Sequence, residues 1–217
     1  MTILPPSFLF RYSVPVRFAE ELPSKKLPLL GLGDEFLLPQ LGELDGIEPF
    51  GKVCAVWNNS GLGFSVQVDQ KKLPLKCDPK KPTECDGFQV WIDTRNTQTV
   101  HRATRYCHHF CILPAAGSSG KGGPSVVQQQ IARANEDAPE AITKKISCKV
   151  RVRKSGYQLE VWFPVDCLYG FDPENNPQLG FFYQLKDSEL GDQYLSCGPE
   201  FPVANDPSMW GTLLLER

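Results

Sequence analysis

Long apolar runs are missing from this chain, and no stretch of it is long enough to span a bilayer as a helix. No membrane partner is therefore expected. A surplus of basic charge is missing too: 23 Lys and Arg stand against 25 Asp and Glu, for a net charge of −2. Without a basic field there is nothing to hold a phosphate backbone, so nucleic acid is not an expected partner. The segment Met1–Arg11 has no basic n-region, no long apolar run and no small-residue cleavage site, so no signal peptide is expected. The expected location is the cytoplasm.

Catalytic signatures are equally scarce. Gly117–Lys121 has a glycine–lysine look, but its spacing is wrong for a P-loop and no Ser or Thr follows the Lys. No Gly-x-Ser-x-Gly elbow and no His-Glu-x-x-His occurs. The carboxylates are scattered, with no pair suited to glycoside hydrolysis. The chain is not expected to be an enzyme. Methionine is rare, at 2 residues, while there are 19 Pro and 18 Gly. That balance calls for many turns and little helix.

What the chain has in quantity is alternation. Leu62, Phe64, Val66 and Val68 are spaced by polar or small residues. The same spacing of two holds for Phe88, Val90 and Ile92, then Ile146, Cys148, Val150 and Val152, then Tyr157, Leu159, Val161 and Phe163, with Trp91 and Trp162 the large apolar residues among the spacers. Each set puts one face of a strand into oil and the other into water. Asn58–Gly61 and Ser155-Gly156 supply tight turns. A two-residue loop at Ser155-Gly156 would set Arg151 opposite Glu160 and Lys149 opposite Trp162. Further strands are expected at Phe8–Phe18, Val53–Trp57, Tyr106–Leu113, Val126–Ala134, Leu179–Lys186 and Trp210–Leu215, with a helical turn at Val165–Tyr169. The Gly/Ser-rich Ala115–Ser125 is expected to be a mobile loop. The expected fold class is all-β: a two-sheet antiparallel β-sandwich, jelly-roll-like, with about ten strands and little helix. Residues 1–217 would form one domain, with 1–50 as an irregular N-terminal strand and wrap.

Eight Cys are present, at 54, 77, 85, 107, 111, 148, 167 and 197. In a chain of this length free thiols are expected, and Cys77 with Cys85 is the best disulfide candidate because the two flank a Pro-rich connection. The densest polar cluster is Asp93–His109, which holds Asp93, three Arg (95, 102, 105) and all three His (101, 108, 109). Such loops at a sandwich end collect binding groups, and Arg forks suit hydroxyls or carboxylates. An ion-pair network tying the connection to the sheet is the competing reading, equally weighted. Cys107, His109 and Cys111 share a strand face, but their spacing fits no usual zinc pattern, so packed thiols are the favoured reading and no metal or cofactor is expected. Trp91 and Trp162 fall on the polar phase of their strands. Each is either a ligand platform or covered by the N-terminal wrap, and burial is favoured for Trp162.

Four motifs in order then suggest a family. They are Asp86–Asp93, Gly156–Pro164, Leu179–Asp187 and Asp206–Leu215. Together, over about residues 51–217, they resemble the family 9 carbohydrate-binding modules and the related DOMON-like β-sandwiches. The basic segment Arg95–His109 looks closer to a bacterial branch of that superfamily than to the modules attached to xylanases. The resemblance implies a non-catalytic sandwich that binds carbohydrate between aromatic rings. Trp91 and Trp210 are the expected rings, with Asp93, Arg95, His101, Arg102, Arg105 and His108 supplying hydrogen bonds. Two alternatives stay open. One is a haem- or metal-binding DOMON-like module using Met209 and a His. The other is a structural or interaction module with no small ligand, which would bury Trp91, Trp162 and Trp210 and leave no pocket beside Asp93–His109.

Overall fold

Alternating segments become strands because only a pleated ribbon turns every second side chain to the same face. The computed structural model of the protein describes residues 4–26, 28–115 and 122–217. Its strands are β1 (Ser13–Arg17), β2 (Gly51–Asn58), β3 (Gly61–Asp69), β4 (Gly87–Asp93), β5 (Cys107–Leu113), β6 (Ser125–Gln129), β7 (Ser147–Arg153), β8 (Gly156–Pro164), β9 (Gln178–Asp187), β10 (Gly191–Tyr194) and β11 (Gly211–Glu216). One short helix, α1 (Pro6–Leu9), precedes them, and several 3-10 turns lie between. The long N-terminal strand expected over Phe8–Phe18 is thus divided. Pro at the first helical position favours the helical turn; Ser13–Arg17 forms the paired strand, and Phe18 adds a single bridge to Trp57. The expected turn after Pro164 is a 3-10 turn at Val165–Cys167. Most of the expected mobile loop, and all of Gly117–Lys121, lies outside the described residues.

Seven strands form the first sheet, in the order β1-β11-β9-β4-β5-β6 with β10 also on β9; β2-β3-β8-β7 form the second. All pairings are antiparallel except β1 with β11, which is parallel. The sheets pack through aromatic rings. Phe64 of the second sheet stacks on Phe181 of the first at 5.4 Å and tilts against Phe88 at 5.7 Å. Phe163 meets Phe110 at 4.9 Å. All five rings are fully or almost fully buried, and each contributes roughly 2–3 kcal/mol by leaving water.

The β7–β8 hairpin turns one residue earlier than the sequence suggests. Arg153 faces Gly156 across the turn, so Lys149 lies opposite Glu160 and Arg151 opposite Gln158. The cause is the neighbouring strand. A Cβ on Gly156 would sit 2.0 Å from the Val68 carbonyl oxygen, so the glycine is needed inside the ladder beside β3 and not in the loop. Gly61 plays the same part in the β2–β3 hairpin, against the Phe163 carbonyl at 2.1 Å. Because β7 is an edge strand, its alternation fails at the far end: Val152, in phase with the core residues, is 64% exposed.

The N-terminal wrap covers the outer face of the second sheet. Leu29 and Leu30 pack on Val56 and Trp162, which buries that indole. The buried Glu160 carboxylate accepts backbone N–H bonds from Leu29 at 2.9 Å, Leu30 at 3.2 Å and Gly31 at 2.9 Å. Asn58 Nδ2 donates to the carbonyls of Ala19 at 2.9 Å and Leu22 at 2.6 Å. Side chains on the sheet thus satisfy a segment with no ladder of its own.

Candidate functional site

The residues nominated in the sequence divide into a buried set and an exposed set. Trp91 does point away from the inter-sheet core, but it is 3% exposed. It stacks on His109 at 4.0 Å and leans on Phe182 at 5.3 Å. Trp210 is 2% exposed, and its Nε1 donates to the Val203 carbonyl at 2.7 Å. Neither indole offers an open face, so the expectation that they form the sugar-stacking rings is corrected. Alternation shows which way a side chain points, not whether later chain covers it. Asp93 is buried as well, and its two oxygens accept the backbone N–H groups of Arg95 at 2.9 Å and Thr97 at 2.6 Å. Those bonds fold its own loop, and the buried carboxylate presents no face to a ligand. Burial raises its pKa against the pull of those two bonds. His108 lies on the inner face, with Nε2–H donating to the Tyr169 carbonyl at 3.2 Å. Burial holds its pKa down at about 4, so the ring is neutral near pH 7. A buried ring of this kind is a packing element and not a ligand contact.

The exposed set lies elsewhere on the rim. His101 Nδ1 sits 3.1 Å from Asp206 Oδ2 and 3.0 Å from Ser208 Oγ. Arg102 is exposed. Arg95 lies over the Tyr106 ring, 4.9 Å from its centroid. Tyr106 in turn stacks on Tyr169 at 5.4 Å. Arg105 makes a two-pronged contact with Glu136, Nε at 2.9 Å and Nη2 at 2.7 Å. The Glu136 carboxylate first, and the Tyr169 hydroxyl second, hold the Arg105 guanidinium well above its usual range.

Arg105 therefore links an aromatic pair to a groove. The groove has a volume of about 370 Å³ and lies between edge strand β6 and the crossover 134–143 that carries the chain to the second sheet. That volume falls among small-molecule sites, which run from about 300 to 1,000 Å³. Ala103 and Cys107 form its inner wall, and the Ala103 carbonyl accepts the N–H of Asn135 at 2.8 Å to hold the crossover in place. Gln128 spans the gap: its Nε2 donates to the Pro139 carbonyl at 3.1 Å, and its Oε1 accepts the Ala141 N–H at 2.6 Å. Gln129, Gln130, Glu136, Asp137 and Glu140 add further amides and carboxylates. Ile131, Ala134 and Val126 give it an apolar floor. Donors and acceptors over a short apolar floor suit a ligand rich in hydroxyls. None of the nominated residues lines the groove itself: Arg105 reaches it through Glu136, Arg95 lies one step further out on Tyr106, and His101 and Arg102 stand apart. Tyr106, Tyr169, Gln128 and Glu136 were missed. Tyr106 lay inside the singled-out segment as an aromatic residue among its Arg and His and was passed over; Glu136 carried no sequence signal.

The cysteines and histidines do not gather into a metal site. Cys107, His109 and Cys111 share the outer face of β5 as expected, yet no group of three or more His, Cys, Asp or Glu among the described residues could hold an ion. Burial pushes the Cys107 thiol up to about 11.

Comparison with known proteins agrees with this architecture. The profile of one family, described as "Carbohydrate family 9 binding domain-like", matches residues 40–217. A family 9 carbohydrate-binding module from Caldicellulosiruptor kristjanssonii, solved with cellotriose, is similar over 94% of this chain and 93% of its own, with TM-score 0.62 and 12% identity. The same organism's family 9 module with glucose gives TM-score 0.60 at 12% identity, over 94% of this chain and 95% of its own. A Bacteroides uniformis structure gives TM-score 0.60 at 12% identity, over 95% and 100%. No curated protein matches the chain. At this identity the structures speak for the fold, and the profile, which spans most of the chain, speaks for descent: the chain belongs to the carbohydrate family 9 binding-domain-like family and is a binding module, not an enzyme.

Proposed function

We propose that the protein binds a saccharide in the groove between β6 and residues 134–143, with the Tyr106–Tyr169 pair as its aromatic flank. The observation that carries this is the continuity Tyr106–Tyr169–Arg105–Glu136, which joins a partly open ring, 41% exposed at Tyr169, to a groove lined with amides and carboxylates. Amide and carboxylate groups would take up sugar hydroxyls in pairs, and the tyrosine ring would meet a sugar C–H face. Solved relatives of the same fold hold cellotriose and glucose, which makes β-glucans the first ligands to try. A glycan array followed by calorimetry tests the proposal. Saturable binding to at least one saccharide, weakened in Glu136→Ala and Gln128→Ala, is the expected result. Silence across neutral and acidic sugars defeats it.

A second reading, an interaction module without a small ligand, is favoured by the burial of Trp91, Trp162 and Trp210. That reading also requires no pocket beside Asp93–His109, and Ala103 and Cys107 wall one.

A further inference from the structure

Cys77 and Cys85 stand at the two ends of a connection that folds back over the outer face of the first sheet. Their Sγ atoms are 2.8 Å apart, and the residues are 4% and 3% exposed. The backbone just outside them is clamped. Asp86 N donates to the Lys76 carbonyl at 2.8 Å, and Lys76 N donates to Asp86 Oδ2 at 2.8 Å. Asp86 is itself pinned by the buried Lys71 ammonium at 3.2 Å, which also meets Asp187 at 2.9 Å. The approach of the two sulfurs is therefore set by buried structure and not by a loose loop, and a disulfide bond of about 2.05 Å needs little movement from it.

A third thiol, Cys111, lies in the same apolar cluster with Leu113 and Val127. It is fully buried and its Sγ–H points at Gln89 Oε1 at 3.6 Å. Burial raises its pKa strongly, which keeps it protonated and poor as a nucleophile. Cys77 and Cys85 are the pair whose sulfurs are in contact, whereas the Cys111 sulfur is turned to Gln89.

We propose that Cys77 and Cys85 are a redox pair whose oxidation joins Sγ to Sγ and closes residues 77–85 into a covalent lip over β4 and β5. With a small disulfide such as oxidised glutathione the step balances as thiol exchange. One protein thiolate attacks the glutathione disulfide and expels one glutathione thiolate. The second protein thiolate then attacks the protein sulfur of the mixed disulfide and expels the other. Two protein thiols are oxidised, one external disulfide is reduced to two thiols, and the two protons end on the released glutathione. The lip carries Thr83, whose carbonyl accepts the Gln89 amide at 3.2 Å, and Gln89 Oε1 in turn lies 3.1 Å from His109 Nε2. That line of contacts is already made with both thiols reduced, and oxidation would lock it.

The test uses the full chain equilibrated with oxidised glutathione and then digested after alkylation. The eight thiols titrated in denaturant should fall by two. A single linked peptide should join Cys77 to Cys85, and Tm should rise by roughly 5–10 °C over the reduced protein, reversibly with dithiothreitol. Cys111→Ser should still lose two thiols, whereas Cys85→Ser should lose none and show no redox shift in Tm. If Cys85→Ser does not fold, the peptide map of the unmodified chain decides. Eight thiols surviving oxidation, a link through Cys111, or a stable glutathione adduct overturns the proposal. Sugar binding enters none of these readouts.

Discussion

The two open sides of the sandwich treat the same residue types in opposite ways. On the second sheet, the wrap closes over Trp162 and Glu160, and the carboxylate spends both oxygens on three backbone N–H groups. On the first sheet, edge strand β6 is half-buried along its whole length. The crossover beside it stands off far enough to leave a groove with carboxylates and amides turned into it. A carboxylate beside an aromatic ring is a structural tie in the first place and a candidate ligand contact in the second. What separates them is whether another stretch of chain lies on top.

Four experiments bear on that contrast, in falling order of effect. Trp162→Ala should lower the unfolding free energy by about 4 kcal/mol, read from urea melts, because a buried indole leaves a cavity. Sugar affinity of the folded protein should not change; a lost affinity with intact stability would move the site to the wrapped face. The next effect is pH-dependent. Burial holds His109 at about 3 and His108 at about 4, below the ordinary value near 6.5. Between those values the unfolded chain binds more protons than the folded one. The stability is whole above about pH 6.5 and drains as pH falls toward 4. His109→Gln, which keeps a donor for Gln89, should lose about 3 kcal/mol less between pH 7 and pH 4 than the parent chain. Equal losses would contradict the burial of this ring.

Glu160→Ala should cost about 2 kcal/mol in the same melts by leaving three buried N–H groups without their acceptor. It should leave ligand affinity alone. A cost near zero would mean the wrap does not depend on this carboxylate. Tyr169→Ala should behave inversely. Affinity should fall about tenfold, or about 1.4 kcal/mol by calorimetry, while stability changes by less than about 0.5 kcal/mol. A stability loss without an affinity loss would place Tyr169 among the structural rings.

Much of the fold was legible in the sequence. Alternation placed β3, β4 and β8 to within one residue at each end, because a half-buried strand writes its period directly into the chain. The family resemblance drawn from four motifs agrees with the profile match. The short β10 was missed, since Gly191–Tyr194 has too few residues to show a period. The β7–β8 register was off by two because the glycine was needed against Val68, on a strand far away in sequence. The site was less legible for the same kind of reason. Trp91, Asp93, His108 and Trp210 had the right chemistry for sugar but are buried by their neighbours in the fold, and a single strand's pattern carries no record of that burial. Gln128 and Glu136 acquire their part only through a crossover whose path is set by tertiary packing.

Backbone amide shifts followed while a saccharide is titrated into the isotopically labelled protein test the central claim most directly. The account predicts that the largest changes fall on Gln128–Gln130, residues 134–141 and the Tyr106 and Tyr169 amides, with the wrapped face around Leu29–Gly31 unmoved. Shifts centred on the second sheet or on the outer face around Trp91, or no shifts with any sugar, would contradict it.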